Sequence, residues 1–249
     1  MTPSLLIVLG LGVWLIAFCY ASAGHGGATG YIALFALCGL APEFIRPAAL
    51  VLNIIVAGIG TWHYARAGCF ARRLFLPLII PALPLAFIGG RLHLAPTLFS
   101  AIVGLVLLLS AIWLFVQPSA VRSLRPARYG VLGLTGAGLG LLAGLTGLGG
   151  GIFLMPLLLG ARWAHPKMAA AISAPFVMLN SIFGLTAHLW HTGTFPLSVL
   201  PLAVMALLGG YAGAWLGSRV LPAVVIERLM AGILVVGGLK LLWVALPVL

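Results

Sequence analysis

Two glycine clusters carry most of the chemistry this chain has to offer. One runs Ser22-Ala23-Gly24-His25-Gly26-Gly27-Ala28, the other Leu145-Thr146-Gly147-Leu148-Gly149-Gly150-Gly151. A glycine turn can expose several backbone N–H groups together. A helix that starts just beyond it aims the positive end of its dipole at the same spot. Both features favour an anion. Helices starting near Ala28 and Ile152 would present such ends, Asn53 and Asn180 could add amide donors, and Ser22, Thr29 and Thr146 could add hydroxyls. His25, inside the first turn, could donate to the anion, carry a coupling proton near neutral pH, or make a structural hydrogen bond. The candidate ligand set is therefore Ser22, Gly24, His25, Gly26, Gly27, Thr29, Asn53, Thr146, Gly147, Gly149, Gly150, Gly151 and Asn180.

Other chemistries lack the residues they need. Glu43 and Glu227 are the only carboxylates, so a proton or Na⁺ site built from intramembrane acids cannot be assembled. The same scarcity, with no G-x-S-x-G elbow and no H-E-x-x-H, argues against an enzyme. His188 and His191 stand at i, i+3 but have no carboxylate or cysteine near them, so neither a metal nor another cofactor is expected. Cys19, Cys38 and Cys69 are read as reduced packing residues.

The elements that position these groups are hydrophobic. Of 249 residues 63% are apolar and 6% charged, against roughly 25% charged in an ordinary soluble domain. Such a chain belongs in a bilayer as a polytopic α-helical protein. The net charge of +11 does not indicate nucleic acid, because the cations sit between apolar stretches rather than in runs interleaved with aromatics. Ala21-Ser22-Ala23 has the look of a signal cleavage site, but Met1-Thr2-Pro3-Ser4 has no cation before it; the segment is read as retained.

Full-length apolar pieces occupy 4–23, 47–65, 74–92, 98–117, 129–147, 168–189, 196–218 and 226–247. Two shorter ones, 28–40 and 151–160, follow the glycine clusters and cannot cross alone. Cations concentrate in 66–73, 118–128, 161–167 and 219–228, whereas 190–195 and 92–97 have no charge and Glu43 and Arg46 cancel within 41–46. The positive-inside rule is met in every loop if each short piece returns to the side from which its preceding helix entered. Both termini then lie outside. Lys240, inside the last piece, is expected to snorkel to the interface.

The chain also repeats itself. After the paired glycine clusters come Asn53 and Asn180, His63 and His188, Gly68-Cys69-Phe70 and Gly193-Thr194-Phe195, then Gly89-Gly90-Arg91-Leu92 and Gly217-Ser218-Arg219-Val220. Each half holds a hairpin and an odd number of spans, so the halves must be inverted, a plan common in secondary transporters. The expected architecture is an all-α polytopic membrane protein of two inverted repeats, each a glycine-broken hairpin (re-entrant or crossing) plus three transmembrane helices, with about eight long apolar helices in total. The first repeat covers 1–117, a basic cytoplasmic linker 118–128 and the second repeat 129–249. Gly136, Gly140 and Gly144, and again Gly209, Gly213 and Gly217, form GxxxG faces for close packing, within the chain or in a homodimer.

The run Gly144-Leu145-Thr146-Gly147-Leu148-Gly149-Gly150-Gly151-Ile152-Phe153-Leu154-Met155-Pro156-Leu157-Leu158, followed by Ala169-Ala170-Ala171 and Asn180, resembles the signature of the sulfite exporter TauE/SafE family. Gly24-His25-Gly26-Gly27 is a weaker copy; His25 replaces Leu148, Ala28 the third glycine and Ala33 the proline Pro156. The resemblance covers nearly the whole chain. It implies a transporter of the bacterial inner membrane whose partners are the lipid bilayer and a small anion, such as sulfite, a sulfonate or a related organosulfur acid. An anion channel or a carrier of small carboxylates would share the same glycine site.

The threading is testable in intact cells. A membrane-impermeant thiol reagent should label a cysteine placed at Thr194 and leave Cys69 unlabelled until the membrane is permeabilised. The opposite pattern overturns the orientation.

Overall fold

The structure is a computed structural model that describes residues 3–40, 42–92 and 123–220, with scattered positions between 97 and 112 and between 222 and 245. The expected pieces 98–117 and 226–247 lie mostly outside the described residues, as do residues 118–122, Glu227 and Lys240. Every regular element among the described residues is helical: α1 (Pro3–Ser22), α2 (Ala28–Leu37), α3 (Pro42–Arg66), α4 (Arg72–Arg91), α5 (Tyr129–Thr146), α6 (Gly151–Gly160), α7 (Pro166–Thr192), a 3-10 turn (Leu197–Val199) and α8 (Leu200–Arg219). Six of them, α1, α3, α4, α5, α7 and α8, are long and apolar enough to cross a bilayer. The chain is a polytopic membrane protein.

Helices α2 and α6 have ten residues each, which is about 15 Å or half of the hydrocarbon core. The glycine clusters set where they start. Helix α5 stops at Gly147, whose left-handed φ of 71° lets its N–H close back on Ala143 O. Gly149 and Gly150 follow at φ 69° and 76°, a region closed to most side chains, and α6 begins directly after them. Helix α3 starts earlier than the apolar pattern indicates. Residues 42–46, expected in a loop, form its first turns, because Pro42 fits the start of a helix, where its missing N–H would have no partner anyway. Arg46 is therefore a helical residue rather than a loop charge.

The order long, short, long, long occurs twice, in α1–α4 and in α5–α8. Helices α3 and α7 pack on each other at the centre, with α2 against α3 and α6 against α7. Outside them α1 runs along α8, and α5 along α4. Each of these outer pairs joins one half to the other, and exchanging the halves turns one pair into the other.

Both glycine faces lie in these outer pairs. A Cβ on Gly136, Gly140 or Gly144 of α5 would overlap the carbonyls of Leu78, Ala82 or Ala86 on α4. One on Gly209, Gly213 or Gly217 of α8 would overlap those of Trp14, Phe18 or Ser22 on α1. Without apolar expulsion from water to join helices in lipid, this close backbone contact supplies the association. The two faces are thus used inside the chain, and a homodimer would need another surface.

Substituting Gly140→Leu should separate α5 from α4. The variant should insert but melt well below the wild type and lose its monodisperse profile in detergent; an unchanged melting curve would contradict the packing.

Candidate functional site

The two glycine breaks meet tip to tip between α3 and α7. Asn53, buried on α3, stands at the junction. Its Oδ1 accepts the N–H of Ala28, the first residue of α2, at 3.0 Å, and its Nδ2 donates to Ser181 Oγ on α7 at 3.0 Å. One amide thus caps a half-helix and ties the two central helices together. Both breaks close on it: a Cβ on Gly26 would overlap Asn53 Oδ1, and one on Gly149 would lie 2.6 Å from Asn53 Nδ2 and 2.8 Å from Ser181 Oγ. Val177 of α7 forms the shared apolar wall against Gly26, Gly149 and Gly151.

His25 makes the direct link between the breaks. Its Nε2 lies 2.9 Å from Gly151 O and its Nδ1 3.0 Å from Ala23 O, with 2% of the residue exposed. Both partners are acceptors. A neutral ring can donate to only one of them, whereas an imidazolium donates to both.

The starts of the two half-helices differ. In α2 the Ala28 N–H is capped by Asn53. In α6 no side chain caps the start, and the first backbone bonds are those of Phe153 and Leu154 to Gly150 O at 3.2 Å. The N–H groups of Gly151 and Ile152 have no acceptor among the described residues. Asn180, the counterpart of Asn53, instead donates Nδ2 to Phe176 O of its own helix at 2.8 Å, and its buried Oδ1 has no partner among the described residues.

Gly24, Gly26, Gly27, Gly147, Gly149, Gly150 and Gly151 line the two breaks, with His25 and Asn53 between them. The three candidate hydroxyls already hold bonds, and that of Thr146 also accepts the Leu148 N–H of the second break at 3.4 Å. Ser22 Oγ donates to Cys19 O at 2.7 Å, and Ser22 O accepts from the Tyr64 hydroxyl at the far end of α3. Thr29 Oγ1 shares a 2.7 Å bond with Tyr20 Oη, and Thr146 Oγ1 donates to Leu142 O at 2.6 Å. Hydroxyls near a helix end readily bond the preceding turn, a competition that residue type alone does not reveal. Ser181 and Val177 escaped the sequence pattern as tip residues. The available signal was the spacing of Ser173, Val177, Asn180 and Ser181 along one face of α7. His63, near the end of α3, packs edge-on against Trp62 and Tyr211. No cluster of three metal-ligating side chains occurs among the described residues.

Fold and site together define a polytopic α-helical membrane protein in which two broken-helix hairpins meet inside the bundle. The family described as Sulfite exporter TauE/SafE matches residues 8–241, and the chain belongs to that family. It is 36% identical over 246 residues to "Probable membrane transporter protein y4hK" of Sinorhizobium fredii, covering 95% of this chain and 98% of that one. It is 28% identical over 250 residues to "Probable membrane transporter protein YjnA" of Bacillus subtilis, covering 88% of this chain and 92% of that one. No solved structure matches the chain.

The asparagines should respond unequally to truncation. Asn53→Ala strands the Ala28 N–H and the Ser181 hydroxyl and should cost about 1–3 kcal/mol. Asn180→Ala removes an unpartnered oxygen and a bond to an already helical carbonyl, so its melting temperature should stay near that of wild type. Equal losses in the two variants would contradict the capping role of Asn53.

Proposed function

We propose that this protein is a secondary transporter of a small anion, in the class of sulfite, sulfonates and related organosulfur acids, which binds where the two glycine breaks meet. The observation that carries this reading is the pair of half-helix starts, Ala28 and Gly151, brought together around Asn53 and His25 inside an apolar bundle. Two positive dipole ends and free N–H groups in a low-dielectric site attract an anion strongly. The uncapped start of α6 at Gly151 and Ile152 is the more available donor set, with Asn53 Nδ2 and Ser181 Oγ beside it.

The repeated element order and the exchangeable helix pairs support an inverted repeat. In such a repeat the two breaks would open toward opposite sides in turn. His25 would serve as the coupling group: a proton gained or lost there changes how many carbonyls it can hold, and so how firmly the tips are joined. The inner membrane of a bacterium is the proposed location, with both termini outside.

Proteoliposomes loaded on one side with sulfite provide the test. The wild type should show saturable flux that an opposing sulfite gradient trans-stimulates. Gly149→Ala, whose Cβ intrudes on Asn53 and Ser181, should lose at least about tenfold of that flux per inserted molecule. Flux that never saturates would favour a channel, saturable flux of acetate but not sulfite would favour a carboxylate carrier, and normal flux in Gly149→Ala would remove the tips as the site.

A further inference from the structure

Arg46 is a partly buried guanidinium at the edge of the bundle's core. It sits on the second turn of α3, where its Nη2 donates to Gly144 O at 2.5 Å and makes a long contact of 3.5 Å with Gly90 O. These carbonyls belong to the last turns of α5 and α4, so the cation faces the negative ends of two helix dipoles. Its stem lies against Gly147, where a Cβ would come 2.9 Å from Arg46 Cγ; the group thus backs directly on the second glycine break.

One donor of the group has no partner among the described residues. A guanidinium has five N–H donors. The one without a partner here is the buried Nε. Glu43 lies three residues earlier on the same helix, and its side chain is outside the described residues. The opposite end of α3 shows what a purely structural cap looks like: the neutral Tyr64 hydroxyl closes the last turn of α1 on Ser22 O. Capping α5 needs no formal charge, yet a charge is placed there, with one donor unspent in a medium where that is costly.

We propose that Arg46 forms a second anion station, about 10 Å along α3 from Asn53, where a planar or tetrahedral oxyanion takes the fork of donors and loosens the bonds to Gly144 and Gly90. The seven-residue separation is two helical turns on the same face of α3, so the station and the tips lie on one line along the central helix. An anion that binds Arg46 draws the guanidinium from the α5 carbonyl beside Gly147, and this frees the segment leading to the start of α6. The station thereby feeds and unlocks the tip site. This inference rests on the proposed anion transport.

The experiment is sulfite uptake into proteoliposomes over a range of sulfite concentrations, for wild type, Arg46→Gln and Arg46→Lys, with melting temperatures recorded in parallel. Arg46→Gln should raise the KM for sulfite at least about tenfold, with the maximal rate within about twofold of wild type. Arg46→Lys keeps charge and cap but lacks the fork, and should raise KM by a smaller factor with little change in melting temperature. An unchanged KM in Arg46→Gln, whatever happens to its melting temperature, reduces Arg46 to a helix cap and overturns the proposal. If Arg46→Gln does not insert, Arg46→Lys decides in the same way. Absence of saturable sulfite flux in the wild type would overturn the transport reading itself, an outcome distinct from saturable wild-type flux with KM insensitive to Arg46.

Discussion

The Asn53 side chain is the interaction on which the centre of this protein depends. In a bilayer every backbone polar group must find its partner within the protein, and a helix that starts at half depth exposes N–H groups with no water to receive them. Asn53 accepts one of those groups from α2 and gives its own amide to Ser181 of α7. Breaking either helix midway is tolerated only because α3 and α7 enclose the break on both sides. Gly26 and Gly149 then have to lack side chains, since each would otherwise occupy the place of the amide that makes the break possible.

The outer helix pairs serve this centre. The glycine faces of α5 and α8 let backbone meet backbone along α4 and α1, so the two halves interlock rather than stand side by side. Helix α3 closes the arrangement at three depths: Arg46 on the end of α5, Asn53 on the start of α2 and Tyr64 on the end of α1. The electrostatic character changes along that line from cation through amide to phenol. Such a gradient gives two otherwise equivalent breaks different surroundings, which suits a protein that must treat its two sides differently.

Much of this was legible beforehand. The glycine clusters at 24–27 and 147–151 marked the breaks, because so many glycines in a row cannot continue a helix, and the short apolar run 151–160 became a helix with the same bounds. The matched asparagines were legible as candidate donors on the spans next to the breaks, and only the structure put those spans, α3 and α7, at the centre. The hydroxyls of Ser22, Thr29 and Thr146 were less readable: whether such a group faces a cavity or its own helix depends on neighbours distant in the chain. Arg46 was hidden by proximity to Glu43, since charge counting treats a loop as a sum and ignores where each head group goes.

The amino-acid sequence by itself determined the membrane class, six of the long helices, the places where the chain breaks and the family to which it belongs, because apolar length and glycine content act locally. Only the tertiary structure decided that the two breaks touch and that Asn53 caps while Asn180 does not. It also decided that His25 faces two carbonyls and Arg46 lies behind the second break. Those outcomes turn on the direction of single side chains across the α3–α7 contact. Two halves with similar sequences fill it in unlike ways: the Asn53 amide turns to the start of α2, and the Asn180 amide turns back on its own helix.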